Sequence, residues 1–211
     1  MTAATATEER LLRAAERLFA ERGVGAVSLR AVMQEAGTNV ASVHYHFGSK
    51  EALLEAVVRS RIEDVTRSRQ AILDVLGERG GAVDAASLAL AFVRPVLDVV
   101  EAGAADWVRV IGQLLATNDP GLAPISETFF DRNATFVGLM RQLDPTLSAP
   151  TIGFRLMQAM TLSIQVLGDL DRVSALMGGG RKPWSADQVV DQLVDVVTAV
   201  LAGPPPHQET H

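Results

Sequence analysis

Between Ser28 and Lys50 the chain gathers side chains that read hydrogen-bonding edges and hold anions: Ser28, Thr38, Asn39, Ser42, His44, Tyr45, His46 and Lys50. Their types fit non-covalent recognition better than catalysis. There is no cysteine in the sequence, which removes thiolate nucleophiles, disulfides and thiolate metal sites. No nucleophile is spaced to pair with a base, no carboxylate pair stands alone in an apolar setting, and His207 and His211 fall in a Pro-rich tail. The chain is therefore not expected to be an enzyme. His44 and His46 invite a metal reading, but residues i and i+2 point to nearly opposite sides of a helix. With no carboxylate at i+4, neither a metal nor another cofactor is expected. Ser28, Asn39 and Ser49 would each also serve as a helix cap.

These residues need short helices and a tight turn to present them, and the surrounding sequence supplies both. Ser28 caps a helix whose inward side is Leu29, Val32 and Ala36, and Gly37 stops it. Asn39 caps the next, with Val40, Val43 and Phe47 inward, and Gly48-Ser49 breaks it. In a helix-turn-helix the first of such a pair braces the phosphate backbone while the second enters the major groove. Thr38, Asn39, Ser42, His44, Tyr45 and His46 supply the outward hydrogen-bonding groups of that second helix. Lys50 and the free N–H groups behind Ser49 form an anion site suited to a phosphate. Upstream, TEERLLRAAERLFAERG reads as an amphipathic helix capped by Thr7, with Leu11, Ala15, Leu18 and Phe19 on one face.

No later segment alternates like a strand, and the expected class is all-α with about nine helices. A long helix should run from Lys50 to about Gly77, followed by helices near 84–102, 105–117, 122–143, 150–177 and 186–202. Pro95 should kink the first of these or move its start. The division is residues 1–50 as a DNA-binding head, a connecting helix over 50–77, residues 51–202 as a ligand-binding and dimerisation domain, and a disordered tail over 203–211. Gly178 to Lys182 lacks phosphate-loop spacing and reads as a flexible link.

The 211 residues are 48% hydrophobic and 21% charged, an ordinary balance with ample material for a core. Net charge is −6, yet residues 1–50 carry six basic against five acidic side chains. The acidity lies elsewhere, so a DNA-facing head stays electrostatically feasible. No apolar run approaches the ~18–20 residues of a membrane span. The small, acidic start does not resemble a signal peptide, so the expectation is a cytoplasmic protein without a membrane partner.

Residues 8–55 resemble the DNA-binding domain of TetR-type transcriptional regulators. The pieces that carry this are RLLRAAERLFAERG, the pattern S-L-R-x-V-x-x-x-A-G over Ser28 to Gly37, and V-x-Y-H-F-G-S-K-E-A-L from Val43 to Leu53. The resemblance implies that Ser28, Tyr45, His46 and Lys50 grip phosphates, with Asn39, Val40, Ser42 and His44 nearest base edges. Two departures stand out. Met33 occupies a place where the family often has Ala, so it must repack the helix pair or reach toward DNA. His44 falls where the family's aromatic is common, with Tyr45 one position later. The string running from YHFGSKEALLEAV into RSRIEDVTRSRQAILD resembles a branch that responds to fatty acids.

The later helices fit a sensor that dimerises. Leu156, Met160 and Ile164, with Val189, Leu193, Val197 and Val200, form stripes broad enough to be buried on two sides, and the expectation is a homodimer through them; a single monomeric core would use the same residues. Phe92, Val96, Trp107, Ile111, Gln113, Leu114, Phe129, Phe136, Met140, Phe154, Met157 and Gln158 combine apolar surface with a few polar groups. That describes a small-molecule site as well as an ordinary core, and the family resemblance favours the site. The overall expectation is a ligand-responsive regulator, a repressor of a near-palindromic operator in double-stranded DNA. Its effector would be a small apolar or amphipathic molecule such as a fatty acid or acyl-CoA. The alternative is a binder of apolar small molecules that does not read DNA specifically.

Overall fold

The computed structural model describes residues 3–38, 47–78, 83–117, 119–122, 134–179 and 182–204, and every regular element among them is helical. The all-α class is as the sequence indicated. We label the helices α1 (Ala3–Arg22), α2 (Leu29–Ala36), α3 (Lys50–Glu78), α4 (Ala85–Glu101), α5 (Ala105–Thr117), α6 (Ala134–Leu143), α7 (Ala149–Gly168), α8 (Leu170–Met177) and α9 (Ala186–Ala202). Short 3-10 turns occupy Val24–Ala26 and Pro120–Leu122.

In the head, Leu11, Ala15, Leu18 and Phe19 form the buried face of α1. The helix starts at Ala3, so Thr7 lies inside it and does not cap it; its hydroxyl accepts from Arg10. Ser28 caps α2 by accepting from the Ala31 N–H at 3.2 Å. Gly37 closes α2 in the left-handed region, φ 61°, which costs glycine nothing. This lets the N–H groups of Gly37 and Thr38 donate to Gln34 and Met33, satisfying the last carbonyls of the helix. Met33 is 7% exposed, so the larger side chain repacks the helix pair and does not reach outward.

Helix α3 joins head to body. Ser49 caps it through Ala52 N–H; Leu53, Leu54, Val57 and Val58 are buried near its start, and Val65 and Leu73 are buried further along. The body is built around α4, which packs on α3, α7 and α9, and around α5, which touches α1 and α7.

Two interruptions differ from the sequence expectation, each for a local reason. Pro95 neither breaks α4 nor moves its start beyond Ala85. A proline lacks the N–H that would bond the carbonyl four residues earlier, here that of Ala91, and Arg69 Nε from α3 donates to that oxygen at 3.2 Å. The helix expected over 150–177 divides into α7 and α8. A Cβ on Gly168 would lie 3.2 Å from the backbone nitrogen of Arg109, so α5 approaches closely there. The next residue, Asp169, leaves helical geometry and accepts from Arg109 Nε at 2.9 Å. Of the helix expected over 122–143, Ala134–Leu143 is seen as α6, and residues 123–133 lie outside the described residues.

Candidate functional site

The head presents Ser28 and Arg30 together on the exposed start of α2. Arg30 makes no ion pair among the described residues, so its cation is available to a phosphate. Sequence reasoning counted Arg30 toward the head's charge without giving it a role. Its signal was being the only basic residue on the bracing helix. Thr38 is turned the other way, with Oγ1 buried and unpartnered. Asn39, Val40, Ser42, His44, Tyr45 and His46 lie outside the described residues.

Lys50 departs most from its expected role. Its ammonium donates to the carbonyls of Val24 at 2.8 Å, Val27 at 3.0 Å and Gly25 at 3.5 Å. An ammonium has three donors, and all three are engaged in closing the α1–α2 loop. The geometry fits a residue that holds α2 in place more than one that grips phosphate.

Two side chains expected in a cavity instead join head to body. Trp107 on α5 is buried and donates Nε1–H to the Val57 carbonyl of α3 at 2.8 Å. Gln113, two turns later, donates to the Ala20 carbonyl at 2.9 Å. Ala20 lies in the last turn of α1, where carbonyls lack intrahelical partners. The seam also holds Glu16 of α1, 7% exposed, 3.6 Å from Arg61 of α3. Burial pushes the Glu16 carboxyl above its ordinary 4.5, against the pull of the Arg61 cation.

The remaining cavity candidates separate into two groups. Phe92, Val96, Ile111, Leu114, Phe136 and Met140 are buried, and the Phe92 and Phe136 rings meet at 4.5 Å between centroids. Phe154 and Met157 point outward instead, 64% and 48% exposed. They fall on the side of α7 facing away from the body, while Ile152, Leu156, Ala159 and Met160 take the inner side. Gln158 is half-buried, and Phe129 lies outside the described residues. Among the described residues, open space occurs as a groove of about 490 Å³ between α3 and α4, bordered by Ser68, Ile72, Leu90 and Asp98. A second of about 320 Å³ runs between α4 and α9.

The interface stripes need a matching correction. Leu156, Met160, Ile164, Val189, Leu193 and Val197 are buried within the single chain and Val200 is partly so. Broad stripes were read as two-sided; one side suffices, because α4, α7 and α9 all pack on one another. Arg155 fastens the outer pair by donating to the Leu201 and Ala202 carbonyls. Exposed apolar side chains on these three helices are Leu90 on α4, Phe154 and Met157 on α7, and Val196 on α9, with Leu176 and Met177 on the neighbouring α8.

A DNA-reading head on a helical body is the architecture of a bacterial regulatory protein, and comparison with known proteins agrees. Residues 11–57 match the model of bacterial regulatory proteins of the tetR family. Residues 90–200 match the tetracyclin repressor-like C-terminal domain. The chain belongs to the TetR family. It is 36% identical over 66 residues to the HTH-type transcriptional repressor KstR2 of Mycolicibacterium smegmatis, a match covering 31% of this chain and 32% of that protein. The aligned part thus spans about a third of the curated relative. Among solved structures, the probable transcriptional regulatory protein RHA5900 superposes with a TM-score of 0.60 at 20% identity, covering 93% of this chain and all of the other. The ketosteroid transcriptional regulator KstR2 of Mycobacterium tuberculosis gives 0.57 at 20% identity, covering 91% and 93%. At that identity the likeness is one of fold.

Proposed function

We propose that the chain is a ligand-responsive transcriptional repressor that binds a near-palindromic operator as a homodimer and is released by a small, mainly apolar effector. The observation that carries this reading is the seam: α5 is hydrogen-bonded to both α1 and α3, through Gln113 and Trp107. A displacement of α5 in the body therefore reaches the head without a flexible link between them. Ser28 and Arg30 grip the phosphate backbone, and the segment holding Asn39, Val40, Ser42 and His44 reads base edges, with Tyr45 and His46 beside it. The KstR2 relative is called a ketosteroid regulator, and an apolar effector suits the aromatic interior around Phe92 and Phe136. A second copy covers Phe154, Met157 and Val196. DNA as the target places the protein in the cytoplasm, and among the described residues no helix is long and apolar enough to cross a membrane.

The coupling equals the effector's difference in affinity between the two states, typically about 1–3 kcal/mol. A compound found by thermal-shift screening should therefore weaken binding to a selected duplex by about 5- to 150-fold. A compound that stabilises the protein yet leaves DNA affinity unchanged would contradict the coupling.

A further inference from the structure

Helices α3 and α4 are joined by residues 79–84 and run antiparallel, with Ser68 Oγ of one 3.1 Å from Asp98 of the other. Between their outer sides lies the groove of about 490 Å³. Its apolar lining is left uncovered by the chain: Val75 and Leu90 are each 47% exposed, and Ile72 and Leu76 are only partly buried. The groove of about 320 Å³ between α4 and α9 shares Leu90 and Arg94 with it and adds the partly buried Val190 and Val194. The two grooves therefore make one apolar band on either side of the α4 ridge.

Shape and charge limit what fits this band. From Ser68 to Leu76 α3 advances about 12 Å, and from Ser87 to Asp98 α4 advances about 16 Å. That is room for roughly two to three turns of a helix. Both grooves are open to solvent, unlike a pocket that encloses roughly 70–90% of a small ligand. An amphipathic helix needs only a groove for its apolar face. The charged residues bordering the band are Arg94, Asp98, Asp191 and Asp195. Arg94 is taken by Asp98 and Glu101, at 2.6 Å each. Asp191 and Asp195 are exposed, and neither enters an ion pair among the described residues. The uncompensated charge at the rim is negative. It disfavours an anionic occupant, and it opposes seating this face on the same face of a second copy.

We propose that the band along α4 is a docking surface for a partner protein that presents a basic amphipathic helix. The apolar side of that helix lies against Val75, Leu90 and Val194, and its lysines or arginines face Asp191 and Asp195. Leu90 is the central anchor because it borders both grooves. The proposal goes beyond the effector reading and does not depend on it, and it leaves Phe154, Met157 and Val196 to the dimer.

Fluorescence anisotropy of labelled peptides with the full chain, in the absence of DNA, tests this. The probes are a leucine–lysine peptide of about four turns with amphipathic helical spacing, its counterpart with glutamate for every lysine, and a peptide of the same leucine–lysine composition without that spacing. The basic helical peptide should bind at least about tenfold more tightly than either control. Leu90→Lys should cost it about tenfold, with Val75→Lys as the second variant, since both positions are exposed and melting temperature reports the fold. Asp191→Asn with Asp195→Asn should cost about threefold or more, and the loss should shrink as salt is raised. No binding of the basic helical peptide, equal binding of either control, or full binding to both Leu90→Lys and Val75→Lys would overturn the proposal. A dimer lost in Leu90→Lys would overturn it by giving the groove to a second copy. Decylammonium binding that depends on Leu90, where the helical peptide does not bind, would overturn it in favour of a small amphiphile.

Discussion

At the scale of single residues, Lys50 and Glu16 show how context reassigns a charged side chain. A lysine at a helix start reads as a phosphate site, yet the carbonyls of Val24, Gly25 and Val27, in and just after the 3-10 turn, take its three donors. Lys50→Met should therefore destabilise the protein by about 1–3 kcal/mol, measured by denaturant unfolding. The slope of log affinity against log salt should change by less than the ~0.9 of one lost phosphate contact; a full unit lost with stability unchanged would restore the phosphate role. Glu16 carries a pH prediction. Its folded pKa lies above the ordinary 4.5, so the folded state holds its proton more tightly. Its contribution to stability is greatest at low pH and is lost as pH rises from about 4.5 through the folded value. Glu16→Gln should match wild type in acid and be as stable or more so above that window. Melting curves across pH would show it, and a variant less stable at pH 7 than at pH 4 relative to wild type would contradict it.

At the scale of elements, helix faces were legible as apolar but not as inner or outer. The periodicity of Leu11, Ala15, Leu18 and Phe19 marked the face of α1 because the opposite side is charged. In α7 both sides are apolar, and nothing local distinguishes Leu156 from Met157; only the positions of α4 and α9 decide that Leu156 turns in. The same ambiguity put Phe154 in a cavity and Val197 at an interface. The division between α7 and α8 was hidden because it comes from a tertiary contact, Arg109 with Asp169 beside the close approach at Gly168. By contrast the caps at Ser28 and Ser49 and the stop at Gly37 were readable, since each depends on neighbours within a few residues. The outer faces now give a sharper prediction. Met157→Asp or Phe154→Asp should yield folded monomers by sedimentation, whereas Val197→Asp should unfold the chain. A folded dimer carrying Met157→Asp and Phe154→Asp together would exclude this face.

At the scale of the whole molecule, head and body are joined by packed and hydrogen-bonded helices. Helix α3 carries the head, and α5 is bonded to both α1 and α3. Trp107 and Gln113, expected to bind a ligand, instead bond α5 to α3 and α1. The account's central claim is that two copies of this head read two half-sites at a fixed spacing. Selection of bound duplexes from a random DNA pool by the purified chain tests it most directly. The account predicts an enriched near-palindrome with half-sites one helical turn apart, about 10–10.5 base pairs centre to centre, or a multiple of it. Recovery of no enriched sequence, or of one unpaired half-site, would contradict it.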